Sequence, residues 1–307
     1  MHKTIKNKIA ALRKKERVLI AVLDSGLGGL SICAELEAVL QVKPLFKQVS
    51  LIYFNVWPEP GRGYNSFDSV SARVGVFERA LKGVKAYGPD LIMIACNTLS
   101  VIYNRAPFSR HADIPVVDIV DFGVDLIHAG LMENPESPVL ILGTRTTISA
   151  NVHQKKLVHM GVDAHRIAVQ ACHGVATEIE KDPLGETVQT LIAAYMHEAA
   201  QKLNSRTTLL VALCCTHFAY SKGVFRDTLR NLLSVDIVML NPNTAMSRFL
   251  FETGCPNAVS SIGVQVKLVS KIYLTPMKIE SMSRAIRNIS PRTADALVNY
   301  TYQPDLF

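Results

Sequence analysis

Short apolar runs alternate with longer amphipathic segments along this 307-residue chain. A strand buried on both faces reads as a continuous apolar stretch, and its crossover helix reads with a 3.6-residue period, so the alternation predicts β-α-β units around mostly parallel sheets. The spacing predicts strands over Val18–Leu23, Val49–Phe54, Leu91–Ala95, Val116–Ile119, Val139–Leu142, Ile167–Ala171, Leu209–Leu213 and Asp236–Leu240. Helices are predicted over Leu30–Leu40, Ser69–Tyr87, Gly123–Met132, Ser149–Met160, Thr187–Leu203, Tyr220–Leu233 and Asn243–Glu252. Val264–Leu274 alternates like a half-exposed antiparallel strand, and Glu280–Tyr300 is too polar to assign by pattern.

An internal repeat adds a second constraint. Strand Leu19–Leu23 runs into Asp24-Ser25-Gly26 and a helix, and strand Leu91–Ala95 then ends at Cys96. Further along, strand Val139–Leu142 runs into Gly143-Thr144-Arg145 and a helix, and strand Leu209–Leu213 ends at Cys214 and Cys215. The interval from Asp24 to Cys96 equals that from Gly143 to Cys215, so the long register matches Cys96 with Cys215. A local alignment of Cys-Asn-Thr with Cys-Cys-Thr matches Cys96 with Cys214 instead. The longer register is preferred because it spans two strands and a helix. The expected architecture is therefore α/β, with two pseudo-symmetric open parallel-sheet halves and the active site in the cleft between them. Residues 18–115 plus 224–307 are expected to form the first half and 116–223 the second, preceded by a basic extension over 1–17.

Charge and cysteine usage narrow the function classes. The net charge of +7 is almost entirely carried by residues 1–17, where seven Lys and Arg face Glu16, so the remaining chain is close to neutral and offers no basic face for nucleic acid. Ile5, Ile9 and Leu12 recur there at helical spacing, as in a solvated helix docking one apolar edge. No apolar segment resembles a secretory signal or approaches the ~18 residues of a membrane span, which points to the cytoplasm and away from membranes. Six cysteines without a C-x-x-C pair or an H-x-x-x-H partner predict free thiols, no disulfide framework and no metal site.

In open α/β sheets ligands bind beyond the carboxyl ends of the strands. Cys96 and Cys215 fall there, with Ser25, Asn97, Thr98, Thr144, Thr147 and Thr216 as short hydrogen-bonding side chains suited to a small carboxylate. A thiol at an apolar strand end is more often a small buried hydrophobe. One thiol in each of two quasi-equivalent halves instead suits removing a proton from one face of a carbon and returning one to the other. Asp24 and His217 are suited to orient or exchange protons with the nearer thiol, while Asn97, Thr98 and Thr216 can hold developing charge, and no cofactor is needed. Asp24–Gly29 matches neither the P-loop spacing nor a full dinucleotide fingerprint. Cys172-His173 and Glu178 read as structural, and Glu180 reads as a solvated carboxylate near a helix start.

The segments Val22-Leu23-Asp24-Ser25-Gly26-Leu27-Gly28-Gly29-Leu30, Ala95-Cys96-Asn97-Thr98 and Cys215-Thr216-His217 resemble the glutamate racemase family of the aspartate/glutamate racemase superfamily, over roughly residues 18–255. The resemblance implies cofactor-independent interconversion of L- and D-glutamate, with Cys96 and Cys215 as opposed acid and base and a role in supplying D-glutamate for peptidoglycan. It further implies Asp24 and His217 as assistants, Ser25, Asn97, Thr98, Thr144, Thr147 and Thr216 as substrate contacts, and Glu180 as an acidic helper. A homodimer is expected from size.

Two departures from the family pattern bear on substrate choice. Where the family carries P-Y-G-x-K-S, this chain has Gly61-Arg62-Gly63-Tyr64-Asn65-Ser66, so Arg62 and Gly63 become substrate-contact candidates and Arg62 a bidentate clamp for a distal carboxylate. Cys214 replaces a glycine before the second thiol, and Ala219 stands where a proline is usual. Alternatives are a racemase for aspartate or another small acid, and an inactive binding or regulatory protein on the same scaffold.

Overall fold

Eight apolar runs become parallel strands at the predicted places. β1 (Arg17–Asp24), β2 (Gln48–Asn55), β3 (Leu91–Ile94) and β4 (Val116–Asp118) are followed by β5 (Val139–Gly143), β6 (Ile167–Ala171), β7 (Leu209–Cys214) and β8 (Ile237–Leu240). The computed structural model describes residues 11–12, 14–203, 207–251 and 263–307. Ile5 and Ile9 of the expected apolar edge, Glu252 at the end of the last expected helix, and Cys255 therefore lie outside the described residues, whereas Leu12 is described and buried. No described helix is long and apolar enough to cross a membrane.

The chain divides into two units, Met1–Ile119 with Met246–Phe307, and Val120–Ala245. The first holds a six-stranded sheet in the order β10-β9-β2-β1-β3-β4, completed by β9 (Gly263–Ser270) and β10 (Thr301–Tyr302). The second holds a four-stranded sheet in the order β6-β5-β7-β8. Paths β2-β1-β3-β4 and β6-β5-β7-β8 are the same, and every strand pair in both is parallel. The boundaries differ from those expected. β4 pairs with β3, which keeps residues 116–118 in the first unit, and β8 pairs with β7, which keeps residues 224–245 in the second.

Strands covered on both faces are continuously apolar: β3, Leu-Ile-Met-Ile, is buried throughout, and so are β5 and β7. Helix Val70–Lys85 starts where the Ser69 hydroxyl accepts the Ala72 N–H at 3.1 Å, and it places Lys82 and Lys85 in its last turn, where they favour the carboxyl end of the dipole. The stretch predicted as one helix over Ser149–Met160 is two, Arg145–Ala150 and Val152–His159, because Asn151 takes a left-handed conformation, φ 55°, between them.

Two parts of the carboxyl-terminal region correct or complete the sequence reading. β9 alternates in exposure over residues 263–267 and is then buried at Leu268, Val269 and Ser270, and it pairs parallel to β2, not antiparallel. Alternation reports which face meets solvent, while direction is set by the connection that delivers the strand. The polar stretch left unassigned falls in helices Pro276–Arg287 and Pro291–Val298, which bury Met282, Ile286, Ala294 and Leu297 and turn their charged residues outward. Their position is held by the buried Glu37 carboxylate of helix Leu30–Val42, which accepts from Ser290 Oγ at 2.8 Å and Arg292 Nη1 at 2.9 Å.

Candidate active site

The two sheets pair their central strands in the same register. Leu23 lies opposite Ile94 in the first unit and Leu142 opposite Leu213 in the second, at equal sequence separations. Each thiol lies two residues beyond its paired position, so Cys215, not Cys214, is the counterpart of Cys96. Backbone conformation agrees. Cys96 and Cys215 are both extended residues immediately before a helical segment, Asn97–Tyr103 and Thr216–Ser221, whereas Cys214 is still inside β7 and fully buried. All five described cysteines are free.

In the first unit, Cys96 Sγ lies 3.1 Å from Ser25 Oγ. Its thiol is pushed up to about 12 by burial and then by the Asp24 carboxylate, with Ser25 and the Leu99 N–H pulling the other way. Cys96 is therefore a protonated S–H at neutral pH, able to give a proton. Asp24 ends β1, is fully buried, and accepts the Gly26 N–H through Oδ1 at 3.0 Å. Tyr53, a residue the sequence reading did not select, fixes the same turn by donating its hydroxyl to the Gly26 carbonyl at 2.7 Å. Asn97 and Thr98 follow Cys96 and are buried, and neither polar atom of the Asn97 side chain has a partner among the described residues.

Gly29 makes room for this arrangement. A Cβ there would come within 2.9 Å of both Asp24 Oδ2 and Ala95 Cβ, too close for any real contact. Gly29→Ala is expected to cost about 1–3 kcal/mol of stability, as overpacking does, and to lower activity by displacing Asp24. Urea denaturation beside steady-state kinetics checks both. Wild-type values in each would show that Asp24 has slack.

The loop that departs from the family pattern is built by three local contacts. Gly61 occupies a left-handed turn at φ 76°. The Trp57 ring lies against Gly63, where a Cβ would come within 2.6 Å of the indole, and Trp57 Nε1 donates to the Glu59 carbonyl at 2.8 Å. The half-exposed Arg62 guanidinium stacks on Phe67 at 4.2 Å and stands 3.9 Å from Glu59. The structure thus engages Arg62 with neighbours in its own loop and Gly63 with Trp57, and shows no contact of either with the Cys96 group. Tyr64, next in the chain, is the residue that turns inward, and its ring lies 6.4 Å from Phe67 and 6.4 Å from Phe77.

In the second unit, Cys215 Sγ lies 3.9 Å from His217 Nδ1, and His217 Nε2 lies 2.9 Å from Glu180 Oε1. Both helpers are buried. Burial alone would depress the His217 imidazole, but hydrogen bonding to Cys215 and to the Glu180 carboxylate outweighs it and raises the group to about 10. Glu180, which the sequence reads as solvated when taken on its own spacing, is the buried counter-charge of that imidazolium. Helix Val175–Lys181 carries it, entered through Gly174 at φ 82°. Thr144 caps helix Arg145–Ala150 by accepting the Thr147 N–H at 3.3 Å, and the two hydroxyls lie 3.0 Å apart. The carbonyl of Thr216 accepts from Asn243 Nδ2 at 3.0 Å, a positioning contact from a residue the sequence did not single out. Cys172 packs in the same buried cluster as Cys215, its thiol raised by burial and then by Cys215. Among the described residues no group of three or more His, Cys, Asp and Glu side chains is arranged to hold a metal ion.

Each unit therefore presents one buried thiol at the same topological point, with its own ionisable neighbour. The family described as Asp/Glu/hydantoin racemase matches residues 20–250. Glutamate racemase of Koribacter versatilis (strain Ellin345) is 25% identical over 265 residues, which is 85% of this chain and 84% of that one. Glutamate racemase of Aquifex pyrophilus is 25% identical over 218 residues, 71% of this chain and 78% of that one. The fold is similar to that of glutamate racemase from Francisella tularensis in complex with D-glutamate, with a TM-score of 0.65 at 22% identity, covering 89% of this chain and 94% of that one.

Proposed function

The chain belongs to the Asp/Glu/hydantoin racemase family and is an isomerase of the racemase kind, and from that premise we propose that it interconverts L- and D-glutamate without a cofactor, by proton transfer between Cα and the thiols of Cys96 and Cys215. The observation that carries the proposal is the repeated thiol. Equivalent strands β3 and β7 each deliver one cysteine to the residue before a helical segment, one beside Asp24 and the other beside His217 and Glu180.

The two thiols start in different protonation environments. Cys96 carries its proton at neutral pH, while Cys215 lies beside the His217 imidazolium. In the first turnover Cys215, as thiolate, breaks the Cα–H bond and takes the proton. The electron pair remains on Cα, spread into the α-carboxylate, and Cys96 S–H then gives its proton to the opposite face. Cys96 is left as thiolate and Cys215 as thiol, which is the starting state for the reverse reaction. Charge on the intermediate is held by hydrogen-bond donors already in place, for which Ser25, Asn97, Thr98, Thr144, Thr147 and Thr216 are proposed. The physiological reading is a cytoplasmic homodimer that supplies D-glutamate for peptidoglycan.

The test uses purified protein with L- or D-glutamate, and aspartate in parallel, in deuterated buffer. Loss of the α-proton signal with decay of the circular dichroism of either glutamate enantiomer is the expected result. Turnover of aspartate alone would transfer the same mechanism to the shorter acid, and no exchange with either would overturn the racemase assignment on acidic amino acids.

A further inference from the structure

Tyr64 is the chemistry-bearing residue that neither the motifs nor the thiol mechanism accounts for. It stands where the Gly61–Ser66 segment departs from the family pattern, and its side chain is almost completely buried, 2% exposed. The ring is gripped by Phe67 and Phe77, and Phe77 belongs to helix Val70–Lys85, which packs on the helix that begins after Cys96. The hydroxyl is buried with no hydrogen-bond partner among the described residues, as is the amide of Asn97, the residue that follows Cys96. A phenylalanine would fill the same aromatic niche without leaving a polar atom unpaired, which costs about 1–3 kcal/mol. A phenol kept at that cost, in the same unit as a second unpaired group, is arranged for a partner that arrives from outside the protein.

We propose that Tyr64 is a substrate-binding residue beside Cys96, whose phenolic O–H donates a hydrogen bond to the α-carboxylate of the bound amino acid. The α-carboxylate is the group assigned because it is one bond from the carbon the thiol must reach. Burial and the neighbouring Cys96 both raise the phenol well above its ordinary range, so it remains an O–H donor throughout the working pH. Together with Asn97 Nδ2 it supplies two neutral donors to a carboxylate, while the loop cation Arg62 lies against Phe67 and Glu59.

This proposal rests on the reading of the chain as a racemase of acidic amino acids, and the experiment separates the two. Tyr64→Phe and wild type are compared by thermal denaturation, by calorimetric titration with D-glutamate, and by exchange kinetics with glutamate and aspartate. Because the removed hydroxyl is unpaired, the free variant is expected to melt at or slightly above the wild-type temperature. Its affinity for D-glutamate falls about tenfold to a hundredfold, the range for a lost hydrogen bond to a charged group. KM rises by a similar factor for glutamate and aspartate alike, since both carry the same α-carboxylate, and kcat changes less because the contact is made before and during proton transfer. Wild-type binding and kinetics in a folded variant overturn the proposal, and so does a loss confined to one of the two acids. Wild type that binds glutamate but does not exchange its α-proton overturns the racemase reading, and the titration then still decides Tyr64. Wild type that neither binds nor exchanges overturns both.

Discussion

Cys96→Ser and Cys215→Ser, made singly, are expected to lower glutamate racemisation by about 10²–10⁴-fold, the contribution of a positioned acid or base, with little change in melting temperature. Serine keeps the size of the side chain but its hydroxyl neither ionises in the working range nor gives up a proton as a thiol does. The more telling result concerns deuterium. Each variant retains one working thiol and is expected to exchange the α-proton of one enantiomer without inverting it, and the two variants should choose opposite enantiomers. Cys214→Ala should behave as wild type, because Cys214 lies inside β7 and burial keeps its thiol protonated. Exchange of the same enantiomer by both serine variants, or full racemisation by either, would remove the opposed-thiol mechanism.

Glu180→Gln is expected to produce the second large effect, and to produce it in stability as well as rate. The imidazole of His217 is raised from its ordinary value to about 10 in the folded protein, with Cys215 and Glu180 outweighing burial. A group raised on folding stabilises fully below its unfolded pKa, here near 6.5, and that contribution is lost as pH climbs through the folded value. Wild type should therefore lose stability between about pH 6.5 and pH 10. Removing the carboxylate breaks a buried pair, at a cost of about 3–5 kcal/mol at neutral pH, and lowers the imidazole so that the loss across that window shrinks. Turnover should fall about 10²-fold as Cys215 loses an oriented, protonated neighbour. Urea unfolding at pH 6, 8 and 10 measures the slope, and a variant as pH-sensitive as wild type would show that Glu180 does not govern His217.

How much of this was legible in the chain follows from the range of each interaction. The eight strands from β1 to β8 were readable because burial on both faces leaves a local apolar signature. The match of Cys96 with Cys215 was readable because two units of the same topology keep the same intervals, and the cross-strand pairs Leu23 with Ile94 and Leu142 with Leu213 are the structural form of that arithmetic. The position of Arg62 in the motif marks it as a candidate carboxylate clamp, and the structure adds that Phe67 and Glu59 stand beside its guanidinium. Tyr64, two residues later, sits at a place the motif leaves variable, and only its burial draws attention to it. Glu180 was named by resemblance, while its own surroundings in sequence suggested a solvated carboxylate.

Periodicity and spacing by themselves determined the α/β class, the strand positions, the repeat and the two thiols, since each is a property of residues near one another in the chain or of equal intervals along it. The direction of β9, the return of the chain at Met246, the tie of Glu37 to Ser290 across 253 residues and the pairing of His217 with Glu180 across 37 were decided by tertiary structure. Those features depend on which groups meet after the helices cover the sheets, and burial then sets how strongly each buried charge needs its partner.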